Sequence, residues 1–286
     1  MDNPFLARRK VMEITSNLEV SAVHFRDGVD LDWDDAHVFP EKLYPDVAFL
    51  LKRMNELTKG EVAVNNGELV LDIGCGRAID ATEIARGGAI CFGLEPSKKM
   101  IAHARRYIAD NGTNNGTKVC LIQGTGEHLP FKSDAFDKVI CKGALDHFSS
   151  PVEAIAEMAR VLKPGGRAII AVANFESLGF KLGRSLFALK RMIFRENSVG
   201  EDFWKIPEDH NTKLDYALLK NLIKLHLKVE RSSGILALTG LPGWSPFLDT
   251  LPAFVSSSIL RVTDRIGRRF PSLGDVIVLR CSPSRG

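Results

Sequence analysis

Apolar residues follow two rhythms along this chain. Between Leu69 and Val172 short apolar runs alternate with stretches of helical period, and outside that window apolar positions recur mostly every three or four residues. The runs Leu69–Ile73, Ala89–Leu94, Lys118–Gln123, Lys138–Cys141 and Arg167–Val172 read as parallel strands buried on both faces. Strands separated by helices of about ten residues predict a doubly wound, mostly parallel α/β sheet. Lys163-Pro164-Gly165-Gly166 reads as a helix stop followed by a turn. After Asn174 the alternation breaks. Residues 175–210 form an insertion, Tyr216–His226 reads as a helix and Leu227–Ser232 as a strand. A second insertion runs from Leu236 to Gly274, before a closing strand at Asp275–Cys281. The expected organisation is a helical extension or lid (1–60), a sheet core (61–174), a helical cap (175–214), a core helix and strand (215–235), an amphipathic insertion (236–274), and the closing strand with its tail (275–286).

The first strand runs straight into Asp72-x-Gly74-x-Gly76-x-Ala78, and from Thr82 the pattern is helical. Glycines at that point permit backbone angles and close approach that a side chain would forbid. A turn between a strand's C-terminal end and a helix N-terminus is where an open α/β sheet binds a nucleotide. A dinucleotide fingerprint would need a third glycine at position 79, and Ile79 stands there.

By its residues, Val70-Leu71-Asp72-Ile73-Gly74-Cys75-Gly76 resembles the first motif of the class I S-adenosylmethionine-dependent methyltransferases. Phe92–Arg105, Gln123–Cys141 and Ala159–Val172 extend the resemblance in the family's order. The chain is identified as a member on those four segments, in a branch similar to the quinone-biosynthesis and other small-molecule enzymes. The resemblance implies a seven-stranded Rossmann-like sheet, S-adenosyl-L-methionine as cofactor and S-adenosyl-L-homocysteine as its product. It assigns cofactor contacts to Asp72, Gly74, Cys75, Gly76, Glu95, Pro96, Met100, Gly124, Thr125, Gly126, Glu127 and Lys142. Glu95 stands about twenty residues beyond the glycine turn, where an acid can accept hydrogen bonds from both ribose hydroxyls. Asp72 can orient the turn or meet the cofactor's amino group. The family usually carries Asp-Ala at the positions of Thr125-Gly126, so here a hydroxyl or the backbone must meet the adenine.

Methyl transfer by in-line displacement asks mainly for positioning and water exclusion, and needs a base only when the acceptor holds its proton at neutral pH. In Cys141–Pro151, Asp146 and His147 fall at the family position facing the cofactor's sulfur end or the acceptor. His147 can serve as general base, or pack under the next helix. His210, after Pro207-Glu208-Asp209, resembles a histidine that precedes this helix in small-molecule members. Capping or solvent exposure explains it equally well.

Composition narrows the surroundings. With 45% hydrophobic and 26% charged residues, a chain of 286 can bury one core with elaborations. A net charge of +3 gives no argument for nucleic acid. Five scattered cysteines with no His-rich spacing read as small core residues of a reducing compartment, and no metal set is expected. Neither a signal peptide nor a run of the ~20 apolar residues needed to span a membrane is visible. The acidic stretch Arg26–Glu41 reads as a solvated loop, or as a lid with Trp33 and Phe39 as apolar contacts.

The insertions speak to the acceptor. Between Ser177 and Arg195 stand Lys181, Arg184, Lys190, Arg191 and Arg195 and no acid. Leu178, Leu182, Leu186, Leu189 and Ile193 share one helical face, while Phe180, Phe187 and Phe194 lie roughly opposite. The second insertion shows a stripe of Val255, Ile259, Val262, Ile266 and Phe270 among arginines. Trp244 and Phe247 precede it on what reads as an exposed Pro/Gly-rich loop. These features suit an apolar-substrate lid, or contact with an anionic membrane surface through residues 177–195 and 241–270. The expected activity is methylation, at oxygen, of a small apolar acceptor such as a lipid, an isoprenoid or quinone-like ring or a polyketide-like product. The expected location is the cytoplasm or the inner face of a membrane. Methylation of RNA or protein is the alternative enzyme reading, and a cofactor-binding interaction subunit without transfer activity the alternative from another class. The oligomeric state is not legible.

Overall fold

A computed structural model describes residue 18 and residues 29–37, 42–112, 118–194 and 211–284. Seven strands form one sheet in the order β3-β2-β1-β4-β5-β7-β6. They are β1 (Leu69–Ile73), β2 (Ile90–Glu95), β3 (Val119–Gln123), β4 (Phe136–Lys142), β5 (Leu162–Ala173), β6 (Leu227–Ile235) and β7 (Val276–Pro283). All pairs from β3 to β5 are parallel, and β7 runs antiparallel to both β5 and β6. β1 sits in the middle of the five parallel strands, with Leu71 opposite Phe92 on one side and Val139 on the other. Its buried position explains the apolar residues on either side of Asp72.

The strand faces sort by parity. Leu71 and Ile73 join one core with Phe92, Phe136, helix α4 (Pro151–Val161) and helix α6 (Tyr216–Ile223). Val70 joins the other, under α1 (Pro45–Val62), α2 (Ile79–Arg86), α3 (Lys98–Asn111) and α8 (Ala253–Arg269). Leu129-Pro130-Phe131 finds its reason in the first core. Phe131 packs edge-on against Phe136 at 4.8 Å and Phe92 at 6.0 Å between ring centroids.

Several expected boundaries move. The glycine pair of Lys163–Gly166 does not form a separate turn before β5. The strand already starts at Leu162 opposite Phe136, and Gly165 (φ +77°) takes up a register shift before Lys138 meets Arg167. The helix expected over 216–226 stops at Ile223, and β6 continues to Ile235.

The insertions are α5 (Leu178–Phe194), then α7 (Trp244–Asp249) and α8. The expected exposed loop around Trp244 is a short helix, with Trp244 half-buried on the second core and Phe247 exposed. In α8 the expected apolar stripe is packed only in part: Val255, Ile259 and Ile266 are half-buried, Ile259 against the second core. Ser256, Leu260, Thr263, Asp264 and Gly267 are buried, whereas Val262 and Phe270 are exposed. The reason is close approach: a Cβ on Gly267 would overlap the Leu236 carbonyl, so small residues face β6 and larger ones are pushed outward. All five cysteines are free thiols, and Cys91, Cys141 and Cys281 are buried. Among the described residues no helix is long and apolar enough to cross a membrane. Phe39, Asp209 and His210 lie outside the described residues.

Candidate active site

The C-terminal ends of β1, β2 and β4 converge on the glycine turn. Gly74 (φ +69°) and Gly76 (φ +50°) both take left-handed backbone, and a Cβ on Gly74 would overlap the side chain of Ala144. The N–H groups of Gly74 and Cys75 reach the Leu94 carbonyl at 2.8 and 3.1 Å, so the turn is folded back on β2. α2 then starts after Ala78 (φ +57°), which offers no side-chain cap, and the Ala81 N–H in its first turn donates to the Asp72 carboxylate instead.

Glu95 closes this cradle. Its carboxylate accepts hydrogen bonds from the Gly76 N–H and the Ser97 N–H, each at 3.0 Å. Burial raises its pKa above the ordinary range and the two N–H groups pull it back. Pro96 presents its carbonyl to Gln123 at 2.9 Å, and Met100 is buried with its methyl 3.6 Å from where a Gly76 Cβ would lie. Across the cleft, Gly124 donates to the Glu95 carbonyl at 3.1 Å. Thr125 is buried with no partner for its hydroxyl oxygen. Gly126 must be glycine, since a Cβ would lie 2.6 Å from the Phe148 ring. Glu127 turns away toward α4 and accepts from the Ser150 N–H at 3.3 Å.

Charge is concentrated under the turn. Lys142, at the end of β4, pairs with Asp80 in the first turn of α2 and donates to Asn55 of α1 at 2.7 Å. Asp72 beside them is fully desolvated. Burial first, and the Asp80 carboxylate second, push its pKa up to about 8, against the pull of Lys142. Burial and the carboxylates of Asp72 and Glu95 push the Cys75 thiol well up. It is a packed thiol with no nucleophilic character at neutral pH.

The loop after β4 carries Asp146, buried, and His147, partly exposed. Its shape is fixed from the far side of the cleft. The Asp146 carbonyl accepts from the N–H groups of Asn211 and Thr212 at 2.9 and 3.0 Å, and the Asn211 side chain donates to the His147 carbonyl at 2.5 Å. The Trp33 ring lies 6.3 Å from the His147 ring, tilted by 59°.

Trp33 belongs to a strap, residues 29–37, lying over the cradle. Arg77 forms a fork with Asp35 at 2.7 and 2.8 Å, Ser97 donates to the Trp33 carbonyl at 2.6 Å, and the Lys98 N–H reaches the Leu31 carbonyl at 2.8 Å. The guanidinium of Arg77 holds Asp35 below the usual carboxylate range. Four side chains absent from the sequence reading thus shape the site: Arg77, Asp35, Ser97 and Asn211. Ser97 had a signal, as the cap of α3 that accepts from the Met100 N–H at 3.2 Å. The other three act through partners 42 to 65 residues away, which periodicity does not register.

Comparison with known proteins agrees with this fold. Residues 71–170 match the methyltransferase domain family. An uncharacterized methyltransferase of Bacillus subtilis, YcgJ, is 39% identical over 101 residues, covering 35% of this chain and 39% of that one. The ubiquinone biosynthesis O-methyltransferase of Aliivibrio fischeri is 34% identical over 109 residues, covering 38% of this chain and 45% of its own length. The match thus spans under half the length of either relative. Among solved structures, the [4+2]-cyclase SpnF aligns with a TM-score of 0.53 at 18% identity over 96% of this chain and 92% of its own, a likeness of fold alone. The methyl donor such domains use is S-adenosylmethionine, and the residues fit it. A buried carboxylate, Glu95, is bound to the turn, the backbone at Gly74 has no room for a side chain, and a buried hydroxyl on Thr125 lacks a partner.

Proposed function

We propose that this chain, which carries a methyltransferase domain of the class I S-adenosylmethionine-dependent family, methylates an oxygen of a small apolar acceptor. The observation that carries the reading is the Glu95 carboxylate bound to the Gly76 N–H of the glycine turn, together with a buried Thr125 hydroxyl that lacks a partner. In this reading Glu95 exchanges the Gly76 N–H for ribose hydroxyls, the Thr125 hydroxyl takes the adenine amino group, and the backbone from Gly74 to Gly76 meets the nucleoside directly. Asp72 and Lys142, with Asp80 and Asn55, set the charge beneath the amino-acid end, while Cys75, Pro96, Met100, Gly124, Gly126 and Glu127 shape the walls. The bound donor supplies an electrophilic methyl on sulfur, released from S-adenosylhomocysteine by in-line displacement.

The chain's own residues then have three tasks. Trp33 and the strap exclude water from the cleft. Asp146 and Asn211 fix the loop that holds His147. His147 takes the proton that the acceptor hydroxyl loses as its oxygen bonds to the methyl carbon. An aromatic wall beside that base favours a ring-bearing acceptor, and the name of the Aliivibrio relative, an O-methyltransferase of ubiquinone biosynthesis, supports the same class. Such an acceptor partitions into lipid, so contact with the cytoplasmic face of a membrane is part of the reading.

The test is transfer of labelled methyl from S-adenosylmethionine into a cell extract, counted after phase partition. Label in the organic phase, reduced about a hundredfold or more by His147→Ala, is the expected result. Label confined to precipitable RNA or protein would replace this reading with the macromolecular one. Tight S-adenosylhomocysteine binding with no transfer to any fraction would make the chain an interaction subunit.

A further inference from the structure

Helix α5 has two apolar sides, and the fold uses one of them. Phe180 faces the body of the protein, 6.1 Å from the Phe175 ring, and a Cβ on Gly240 would strike it at 2.8 Å. Gly179 lies so near the backbone of Leu238 and Gly240 that a Cβ there would be 3.0 Å from each. The first two turns of the helix are therefore clamped to residues 238–240. Beyond them, Ser185 to Ile193 are all exposed except the half-buried Phe187.

Among the described residues nothing covers the opposite side. Leu182, Leu186, Leu189 and Ile193, spaced by four, three and four residues, form one stripe, with Leu186 at 58% and Ile193 at 61% exposure and Met192 beside it at 73%. A contiguous apolar stripe of this kind on an otherwise polar surface marks an interaction site. Its flanks are of one sign. Lys181, Lys190 and Arg191 are exposed, the last two with further interactions within the chain, Arg184 pairs with Glu176 ahead of the helix, and no acid occurs between Ser177 and Arg195. α8 differs: it exposes Arg261, Arg265 and Arg269, with Phe254 and Val262 but no continuous apolar stripe.

We propose that the outward face of α5 docks on an anionic phospholipid bilayer. The helix lies in the interface with Leu182, Leu186, Leu189, Met192 and Ile193 among the upper acyl carbons and its cations at the lipid phosphates. Charge decides between occupants. A second copy of this chain would bring the same acid-free, basic helix against itself, whereas a phosphatidylglycerol surface offers the complementary sign together with an apolar interior. α5 leaves β5 at the sheet edge where β4 and β1 present the site, so docking brings that edge to the lipid. This deepens the reading of a lipid-soluble acceptor and rests on it for its purpose, though the surface itself is tested without any methyl transfer.

The experiment is co-sedimentation of the full chain with vesicles of equal phosphatidylglycerol and phosphatidylcholine, and with phosphatidylcholine alone, at low and high salt. The wild-type protein should pellet with the anionic vesicles several-fold more than with the neutral ones, and salt should weaken this. Leu186→Asp combined with Ile193→Asp should lower the partition at least about tenfold, with unchanged melting temperature and S-adenosylhomocysteine affinity. A wild-type protein that stays in the supernatant overturns the proposal. So does a double variant that pellets like wild type, or a wild-type dimer in sedimentation velocity that the double variant abolishes. Loss of vesicle binding would leave labelled transfer to a soluble acceptor intact, and absence of transfer would leave vesicle binding intact.

Discussion

Two ends of the same sheet edge are built on opposite terms. At the glycine turn the backbone of β1, the Glu95 carboxylate and the strap fit one another so closely that Gly74 and Gly126 have no room for a methyl group. On α5 a row of leucines faces outward with nothing of the described protein over it. The first region keeps its polar groups in place by making every neighbour small or hydrogen-bonded, and it is tuned to one ligand shape. The second keeps a surface that fits no single shape, as a fluid apolar phase allows. Tightness and bareness are thus two recognition strategies, and variants at each should behave accordingly.

The largest effect is expected at the tight end. Gly74→Ala combines a left-handed backbone with overlap on Ala144, and should cost about 3 kcal/mol in stability, roughly 6–12 °C in melting temperature. Gly243 also has a positive φ, +77°, but open space around it. Gly243→Ala should therefore cost only about 1 kcal/mol. Equal losses at the two glycines would show that backbone strain alone, and no close fit, defines the turn. Next comes Glu95→Ala, which should weaken S-adenosylhomocysteine binding by roughly 1.5–3 kcal/mol in calorimetry, the scale of hydrogen bonds to a charged group. An unchanged dissociation constant would remove Glu95 from the ribose.

A pH experiment sharpens the same contrast. The folded state raises the Asp72 pKa to about 8 from an unfolded value near ~3.9, so the native protein binds that proton more tightly than the unfolded chain does. The resulting stability is fully present below the unfolded value and is lost as pH rises through the folded one. Melting temperature should then fall between about pH 4 and pH 8, and Asp72→Asn should flatten the slope. A slope unaltered by the substitution would mean that Lys142 keeps Asp72 ionised across the whole range, against burial and the Asp80 carboxylate.

How far these regions were legible follows from what sets each of them. β1 appears in the sequence at its observed bounds because a strand buried on both faces needs nothing but apolar residues and a glycine turn after it. The α/β alternation of the core is legible for the same reason, whereas the seven-stranded sheet was what the family resemblance implied. The buried side of α8 was not, because Gly267 is required by its distance to the Leu236 carbonyl, and hydrophobicity does not encode that distance. Lys142 was placed beside the cofactor, yet its pairing with Asp80 and Asn55 depends on how α1 packs on the sheet. For α5 the residue pattern shows two apolar faces without ranking them. Contacts at Gly179 and Gly240 choose the phenylalanine side, and those contacts join distant segments.

A smaller effect belongs to the clasp between the regions. Asp35→Asn should loosen the strap that carries Trp33, raising the acceptor KM about threefold while the S-adenosylhomocysteine dissociation constant moves less than twofold, since Arg77 is partly solvated and its fork is worth about 1 kcal/mol or less. A larger shift in cofactor affinity than in acceptor KM would place the clasp in cofactor binding.

The smallest effect is the most telling for the bare end. Leu186→Asp introduces a charge where a buried leucine would make it ruinous, since an unpaired carboxylate in a core costs several kcal/mol or drives protonation. With 58% of Leu186 exposed, the substitution should change stability by no more than about 0.5 kcal/mol in denaturant titration, the range of ordinary surface changes. A loss above about 2 kcal/mol would mean that the leucine face is covered in the isolated protein, by a second copy or by the chain itself. The two recognition strategies would then reduce to one, with α5 a packed element like the glycine turn and no surface left for lipid.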